Sequence, residues 1–192
     1  MLQLIRAAVA AQVDLIQIRE KNLNASVLYE LAARAADLTR KNSTSLLIND
    51  RSDLAAAAGA DGVHLTTSSL PPDVVRRTFG ERFLIGASTH SAEEAISARR
   101  DGADFVVFGP VFETASKREY GEAVGLARLT EVSTALSPFP VLALGGVTTA
   151  NVADCLQAGA QGVAGISMFA EPEKLSDVVE QIRRAAFARG QA

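Results

Sequence analysis

The chain has 192 residues, 48% hydrophobic and 21% charged, with a formal net charge of −3. Those values exclude a disordered chain, whose few apolar residues could not offset the entropy of ordering, and they lack the basic excess of a dedicated nucleic-acid binder. The apolar stretches, such as Phe105 to Gly109, are far shorter than a membrane span, and the single Cys155 allows neither an internal disulfide nor a Cys-rich zinc site.

In chain order, a helix-like segment, Met1–Ala11, opens the sequence without the long apolar core of a signal peptide. Seven short runs rich in Val, Ile, Leu and Phe follow: Asp14–Arg19, Ser45–Asp50, Gly62–Leu65, Phe83–Ser88, Phe105–Gly109, Pro140–Gly146 and Gly162–Ser167. Most are apolar on consecutive positions, as strands buried on both faces require. Between them lie Ala-rich segments with charges at helical spacing, among them Ser26–Arg40, Ser91–Arg100 and Glu173–Arg189. The alternation predicts an α/β fold with a parallel sheet.

A short repeat sharpens that expectation. Ala58-Gly-Ala-Asp-Gly-Val63 resembles Asp101-Gly-Ala-Asp-Phe-Val106 and Ala158-Gly-Ala-Gln-Gly-Val163, with Ala11-Gln-Val-Asp-Leu15 a weaker copy that lacks the Gly. Each reads as a helix ended by a left-handed residue and followed at once by a strand. Reuse of one joint favours a rotationally repetitive (β/α)8 TIM barrel over an open doubly wound sheet. Seven strands after an initial helix leave that barrel lacking its first strand. No composition break divides the chain, so residues 1–192 are read as one domain, with a reducing cytoplasm as its compartment.

Active sites of parallel α/β folds sit at the carboxyl ends of the strands. Polar residues gather there: Gln17, Arg19 and Lys21; Asn49 and Asp50; His64 and Ser69; Ser88 and His90; Thr114, Ser116 and Lys117; Gly145 and Gly146; Ser167. Arg19 and Lys21, two residues apart on an extended segment, would share one side and with Lys117 form a cationic cluster suited to a diphosphate. Gly145-Gly146, before a helix expected near Thr148, would let backbone N–H groups approach a phosphate. Asp50 suits either Mg²⁺ or the capping of the next helix. His64 and His90 read as packed strand-end residues or as a general base. Cys155 reads as a core residue, and the segment Phe112–Ala123 as a lid.

Taken together, Gln17-Ile-Arg19-Glu-Lys21, Asn49-Asp50-Arg51, Gly59-Ala-Asp-Gly-Val-His-Leu65, Ser88-Thr-His-Ser91, Gly109-Pro-Val-Phe-Glu-Thr-Ala-Ser-Lys117, Gly145-Gly-Val-Thr148 and Gly162-Val-Ala-Gly-Ile-Ser167 resemble the thiamine phosphate synthase family, which includes the related thiazole tautomerases. The resemblance runs from about Leu4 to Arg184. It implies a (β/α)8 barrel and a transferase that couples 4-amino-2-methyl-5-(diphosphomethyl)pyrimidine with a thiazole phosphate, releasing diphosphate. By resemblance, Arg19, Lys21, Asn49 and Lys117 hold the diphosphate and Asp50 binds Mg²⁺. Gln17 and Ser88 face the pyrimidine. Thr114, Ser116, Gly146, Ile166 and Ser167 hold the thiazole phosphate. The implied partners are these two small molecules, with no nucleic acid and no membrane, and a homo-oligomer is allowed.

Two positions depart from the pattern. Synthases of the family carry Gly-Gln-x-Asp after Val-His-Leu, and that Asp is a second Mg²⁺ ligand. Here Ser69 replaces it, a feature of the tautomerase branch. Tautomerases in turn carry a His next to the Gly109 position, where this chain has Pro110. Gln17, Lys21 and Asp50 favour the synthase. A tautomerase-like isomerase and a non-catalytic thiazole-phosphate binder are the alternatives.

Overall fold

The structure is a computed structural model that describes residues 1–113 and 123–190. In chain order the elements are α1 (Leu2–Ala10), β1 (Leu15–Ile18), α2 (Ala25–Thr39), β2 (Ser45–Asn49), α3 (Ser52–Ala58), β3 (Gly62–Leu65), α4 (Pro72–Phe79), β4 (Leu84–Thr89), α5 (Ala92–Arg100), β5 (Phe105–Phe108), α6 (Gly125–Leu136), β6 (Val141–Leu144), α7 (Val152–Gln157), β7 (Gly162–Ala164) and α8 (Leu175–Arg189). Two 3₁₀ turns, Ser167–Phe169 and Pro172–Lys174, lie between β7 and α8.

All seven strands are parallel and lie in sequence order. A doubly wound sheet reverses its order at a switch point. No reversal occurs here, so every crossover proceeds the same way round and the sheet curls into a half-barrel. Among the described residues, β1 and β7 each pair with a single neighbouring strand.

The two faces of the sheet bury different side chains, because successive strand residues point to opposite sides. Ile18, Leu46, Ile48, Val63, Ile85, Val106 and Ala143 pack with the helices in the larger core cluster. Leu47, Phe105 and Val107 form a second cluster on the concave face, joined by the partly buried Leu15, Leu84, Leu142, Leu144 and Ala164. The concave side chains of β2 and β5 are buried, and those of β1, β6 and β7 are only partly so.

The repeat anticipated in the sequence is one structural joint used four times. Gly59, Gly102 and Gly159 stand one or two residues past α3, α5 and α7 with φ of +70°, +94° and +99°. The next-but-one residue then ties the new strand to the preceding one. Asp61 N–H donates to the Leu46 carbonyl at 2.9 Å, Asp104 N–H to Ile85 at 2.8 Å and Gln161 N–H to Val141 at 2.9 Å. At two joints the side chain closes a second bond: Leu46 N–H donates to Asp61 Oδ2 and Ile85 N–H to Asp104 Oδ2, each at 2.7 Å. This clamp fixes where each strand starts relative to its neighbour, and so where it ends.

Arg76 of α4 reinforces the β4–β5 joint. Its guanidinium makes five hydrogen bonds, to the carbonyls of Gly80, Phe83 and Gly102 (two to Gly102) and to Asp104 Oδ2. A guanidinium has five N–H donors, so the bonds equal its full capacity.

At the fourth joint, Gln12 holds the left-handed conformation at φ +57° without being glycine. A side chain there crowds the following carbonyl, at a cost of about 1–2 kcal/mol. Gln12→Gly removes that cost but loosens the unfolded chain. The expected net result is a gain of about 0.5–1 kcal/mol, read as a raised urea midpoint with unchanged slope.

Candidate active site

Parallel strands place all their carboxyl ends on one rim. Gln17 near the end of β1 donates from Nε2 to Asn49 Oδ1 at the end of β2, at 2.9 Å. Asn49 lies in register with His64 of β3. His64 Nε2 lies 2.8 Å from Ser88 Oγ of β4. These two polar pairs span the concave rim from β1 to β4. Asp50 follows Asn49, and its N–H donates to the His64 carbonyl at 2.9 Å.

The order of these contacts follows from strand parity. Leu47 and Asn49 alternate along β2, Gly62 and His64 along β3, and Gly86 and Ser88 along β4, so each set faces the same side. The deeper members are apolar or small and the last ones are polar. Gly86 is set by space: an added Cβ would stand 2.3 Å from Phe105 Cζ and 2.7 Å from His64 Nδ1. The His64 ring occupies that room, tilted 37° to Phe105 with centroids 6.1 Å apart.

His64 is only 4% exposed. Burial first, and then the positive charge of Arg19, pushes its imidazolium from the ordinary 6.5 down to about 4. It is therefore neutral at pH 7.

Asp50 has φ +61°, a left-handed conformation that few side chains adopt. Such strain persists where the surroundings over-determine it, and it clusters at functional sites. The Asp50 carboxylate is exposed at the rim. Ser69 sits otherwise: its Oγ accepts from Thr66 N–H at 2.7 Å and lies 3.0 Å from Thr66 Oγ1, so it serves the turn that follows β3. Among the described residues no three His, Cys, Asp or Glu side chains cluster as a metal cage.

Several expectations need correction. β1 ends at Ile18 and the chain bends at Lys21, so strand spacing does not relate Lys21 to Arg19. β6 and β7 stop at Leu144 and Ala164, short of Gly146 and Ser167. Ile166 is 78% exposed and Ser167 opens a 3₁₀ turn. The helix expected near Thr148 begins at Val152, because Asn151 Oδ1 captures the Thr148 N–H at 2.7 Å and its Nδ2 donates to the Gly146 carbonyl at 3.0 Å.

Gly145 and Gly146 are required by close packing. Their φ values are +95° and +65°, and an added Cβ would stand 2.5 Å from Pro110 Cα or 2.7 Å from the Glu113 carbonyl oxygen. Thr114, Ser116 and Lys117, with most of the expected lid, lie outside the described residues.

Neither remaining candidate nucleophile or base is free-standing. His90 Nδ1 lies 2.5 Å from the Gly109 carbonyl, which fixes the proton on that nitrogen. Cys155 is buried in the core, and burial, helped by the charge of Asp154, pushes its thiol up to about 11. The His64–Ser88 pairing was missed by sequence reasoning. Its signal was the shared parity of two inward positions on adjacent strands.

Burial of a neutral His64 couples stability to pH. The unfolded chain binds a proton near pH 6.5 and the native one only near 4, so stability is full above 6.5 and falls as pH drops between those values. The expected loss is about 3 kcal/mol across the window. Denaturant melts from pH 7 to pH 4.5 should show this slope in the wild type, and a shallower one in His64→Gln.

The comparisons with known proteins fit this architecture. A family model described as thiamine monophosphate synthase matches residues 1–169. A putative thiamine-phosphate synthase from Geobacter sulfurreducens is 46% identical over 174 residues, covering 90% of this chain and 81% of that protein. A thiamine-phosphate synthase from Methanoculleus marisnigri is 46% identical over 164 residues, covering 85% and 77%. The solved thiamine phosphate pyrophosphorylase from Pyrococcus furiosus superposes with a TM-score of 0.83 at 30% identity, covering 97% of this chain and 89% of that one. The chain belongs to the thiamine monophosphate synthase family.

Proposed function

We propose that this chain is a thiamine-phosphate synthase, a transferase that joins 4-amino-2-methyl-5-(diphosphomethyl)pyrimidine to a thiazole phosphate. The observation that carries this reading is the rim itself. Two hydrogen-bonded pairs, Gln17–Asn49 and His64–Ser88, line the strand ends that Arg19 and Asp50 follow, in a chain of this family. Residues 1–192 act as one barrel-like domain, and the enzyme works in the cytoplasm. No helix of the described residues is long and apolar enough to cross a membrane.

The reaction breaks the bond between the pyrimidinylmethyl carbon and the bridging diphosphate oxygen, and the oxygen keeps the electron pair. The lone pair of the thiazole nitrogen then forms the new carbon–nitrogen bond. The aminopyrimidine ring is electron-rich and stabilises the positive carbon in between. The protein's task is to hold the leaving group and to neutralise its growing charge. Arg19, Lys21, Lys117 and Asn49 do this, the cations by charge and the amide by donated hydrogen bonds. Gln17 and Ser88 orient the pyrimidine. Thr114, Ser116, Gly145, Gly146, Ile166 and Ser167 bind the thiazole phosphate.

Magnesium takes one or two carboxylates and completes its shell with water and substrate phosphate. The donor set fits that mode, with the exposed Asp50 as the protein carboxylate, and it does not fit an all-protein cage. When bound, Mg²⁺ supplies charge neutralisation on the diphosphate. Ser69 contributes a turn rather than a charged ligand, since its hydroxyl is already engaged by Thr66.

The direct test supplies purified protein with both substrates and Mg²⁺. Diphosphate and thiamine phosphate should appear in equal amounts. No diphosphate release would reject the synthase, and isomerisation of the thiazole alone would turn the reading to an isomerase.

Asp50 separates function from stability. Asp50→Gly should relieve the left-handed strain and gain about 0.5–1 kcal/mol, while turnover falls about 100-fold. Asp50→Asn should lose turnover equally without that gain. Full activity in either variant contradicts a metal-holding Asp50.

A further inference from the structure

His64 is a buried titratable side chain at the rim, and no substrate contact was assigned to it above. Its Nε2 lies 2.8 Å from Ser88 Oγ. Its Nδ1 lies over Gly86, where an added Cβ would come within 2.7 Å. Among the described residues nothing hydrogen-bonds Nδ1. A neutral imidazole carries one N–H, and the two tautomers are not equivalent here. A proton on Nδ1 would be a donor without an acceptor among the described residues. A proton on Nε2 is satisfied by Ser88 and leaves only a lone pair over Gly86.

That choice determines what Ser88 can do. A hydroxyl that accepts from His64 keeps its own proton for another partner. A hydroxyl that donated to His64 could offer the substrate only lone pairs. Ser88 is half-buried at the rim, so part of it is open to a molecule held there. A donated O–H bond suits an acceptor that gains negative charge during the reaction, as the departing diphosphate oxygens do.

We infer that His64 is a positioning residue that holds the Ser88 hydroxyl as a hydrogen-bond donor toward an acceptor of the pyrimidine diphosphate. The role rests on the synthase reading; the tautomer does not. Two features hold the ring: Gly86 leaves it room and Phe105 flanks it.

A double-mutant cycle on synthase turnover tests the role. Ser88→Ala should lower kcat about 100-fold by removing one donor. His64→Leu should lower kcat at least tenfold, with the KM for the thiazole phosphate unchanged. The double variant should be no slower than Ser88→Ala alone, because His64 acts only through Ser88. His64→Gln, which can present an N–H near the Nε2 position, should recover most of the loss while melting near the wild-type temperature. A double variant slower than Ser88→Ala by the full His64→Leu factor overturns the proposal, as does a His64→Gln as slow as His64→Leu.

The tautomer has its own readout. Nitrogen NMR of the wild type at pH 7 should show a neutral His64 ring protonated at Nε2. A proton on Nδ1 overturns the proposal whether or not the enzyme turns over. If the wild type forms no thiamine phosphate, the synthase reading fails and the positioning role fails with it. The spectrum then still decides the state of the His64–Ser88 pair.

Discussion

The clamp between the residue that precedes a strand and the strand before it underlies the rest of the structure. At Asp61 and Asp104 one residue both donates to and accepts from the neighbouring strand. A slip of one residue would send every side chain of a strand to the opposite face. Asn49, His64 and Ser88 would then leave the concave rim, and Ile48, Val63 and Ala87 would take their place. The polar rim therefore depends on bonds at the far, amino-terminal end of the strands. The aspartates bear no chemistry, yet the geometry of the site depends on them.

The rim shows what a neutral, tightly packed side chain can add to a charged site. Arg19 and Asp50 are exposed at the strand ends, and the His64–Ser88 pair is more deeply buried. Burial first, and then the positive charge of Arg19, keep His64 uncharged. An imidazolium there would add to the cationic field without a hydrogen-bonding role for its second N–H. The structure instead uses its positive charge at the surface and its fixed dipoles below, an arrangement suited to a leaving group that carries its charge outward.

Much of this was legible in the sequence. The Gly-Ala-Asp repeats announced the joint, since only a left-handed residue ends a helix so abruptly before a strand. The consecutive apolar runs announced strands covered on both faces. Legibility failed where local pattern and backbone geometry part. The runs Pro140–Gly146 and Gly162–Ser167 continue past the true strand ends because apolar and small residues also build the turns beyond them. Thr148 looked like a helix start, but Asn151 captures its N–H and delays the helix to Val152. Gln12 and Asp50 adopt positive φ without glycine, which no composition rule flags. The His64–Ser88 pair joins residues 24 positions apart, and Arg76 reaches Gly102 and Asp104 at 26 and 28, spans that no local pattern reports.

On the proposed function, the carboxyl-end rim of β1 to β4 grips a magnesium diphosphate. Side-chain and backbone resonances recorded while inorganic diphosphate is titrated in with Mg²⁺ test it most directly. Gln17, Arg19, Asn49, Asp50 and Ser88 should shift together and saturate with one dissociation constant. Shifts that gather instead in the groove between α1 and α8, around Ala10, Arg183 and Phe187, would contradict it.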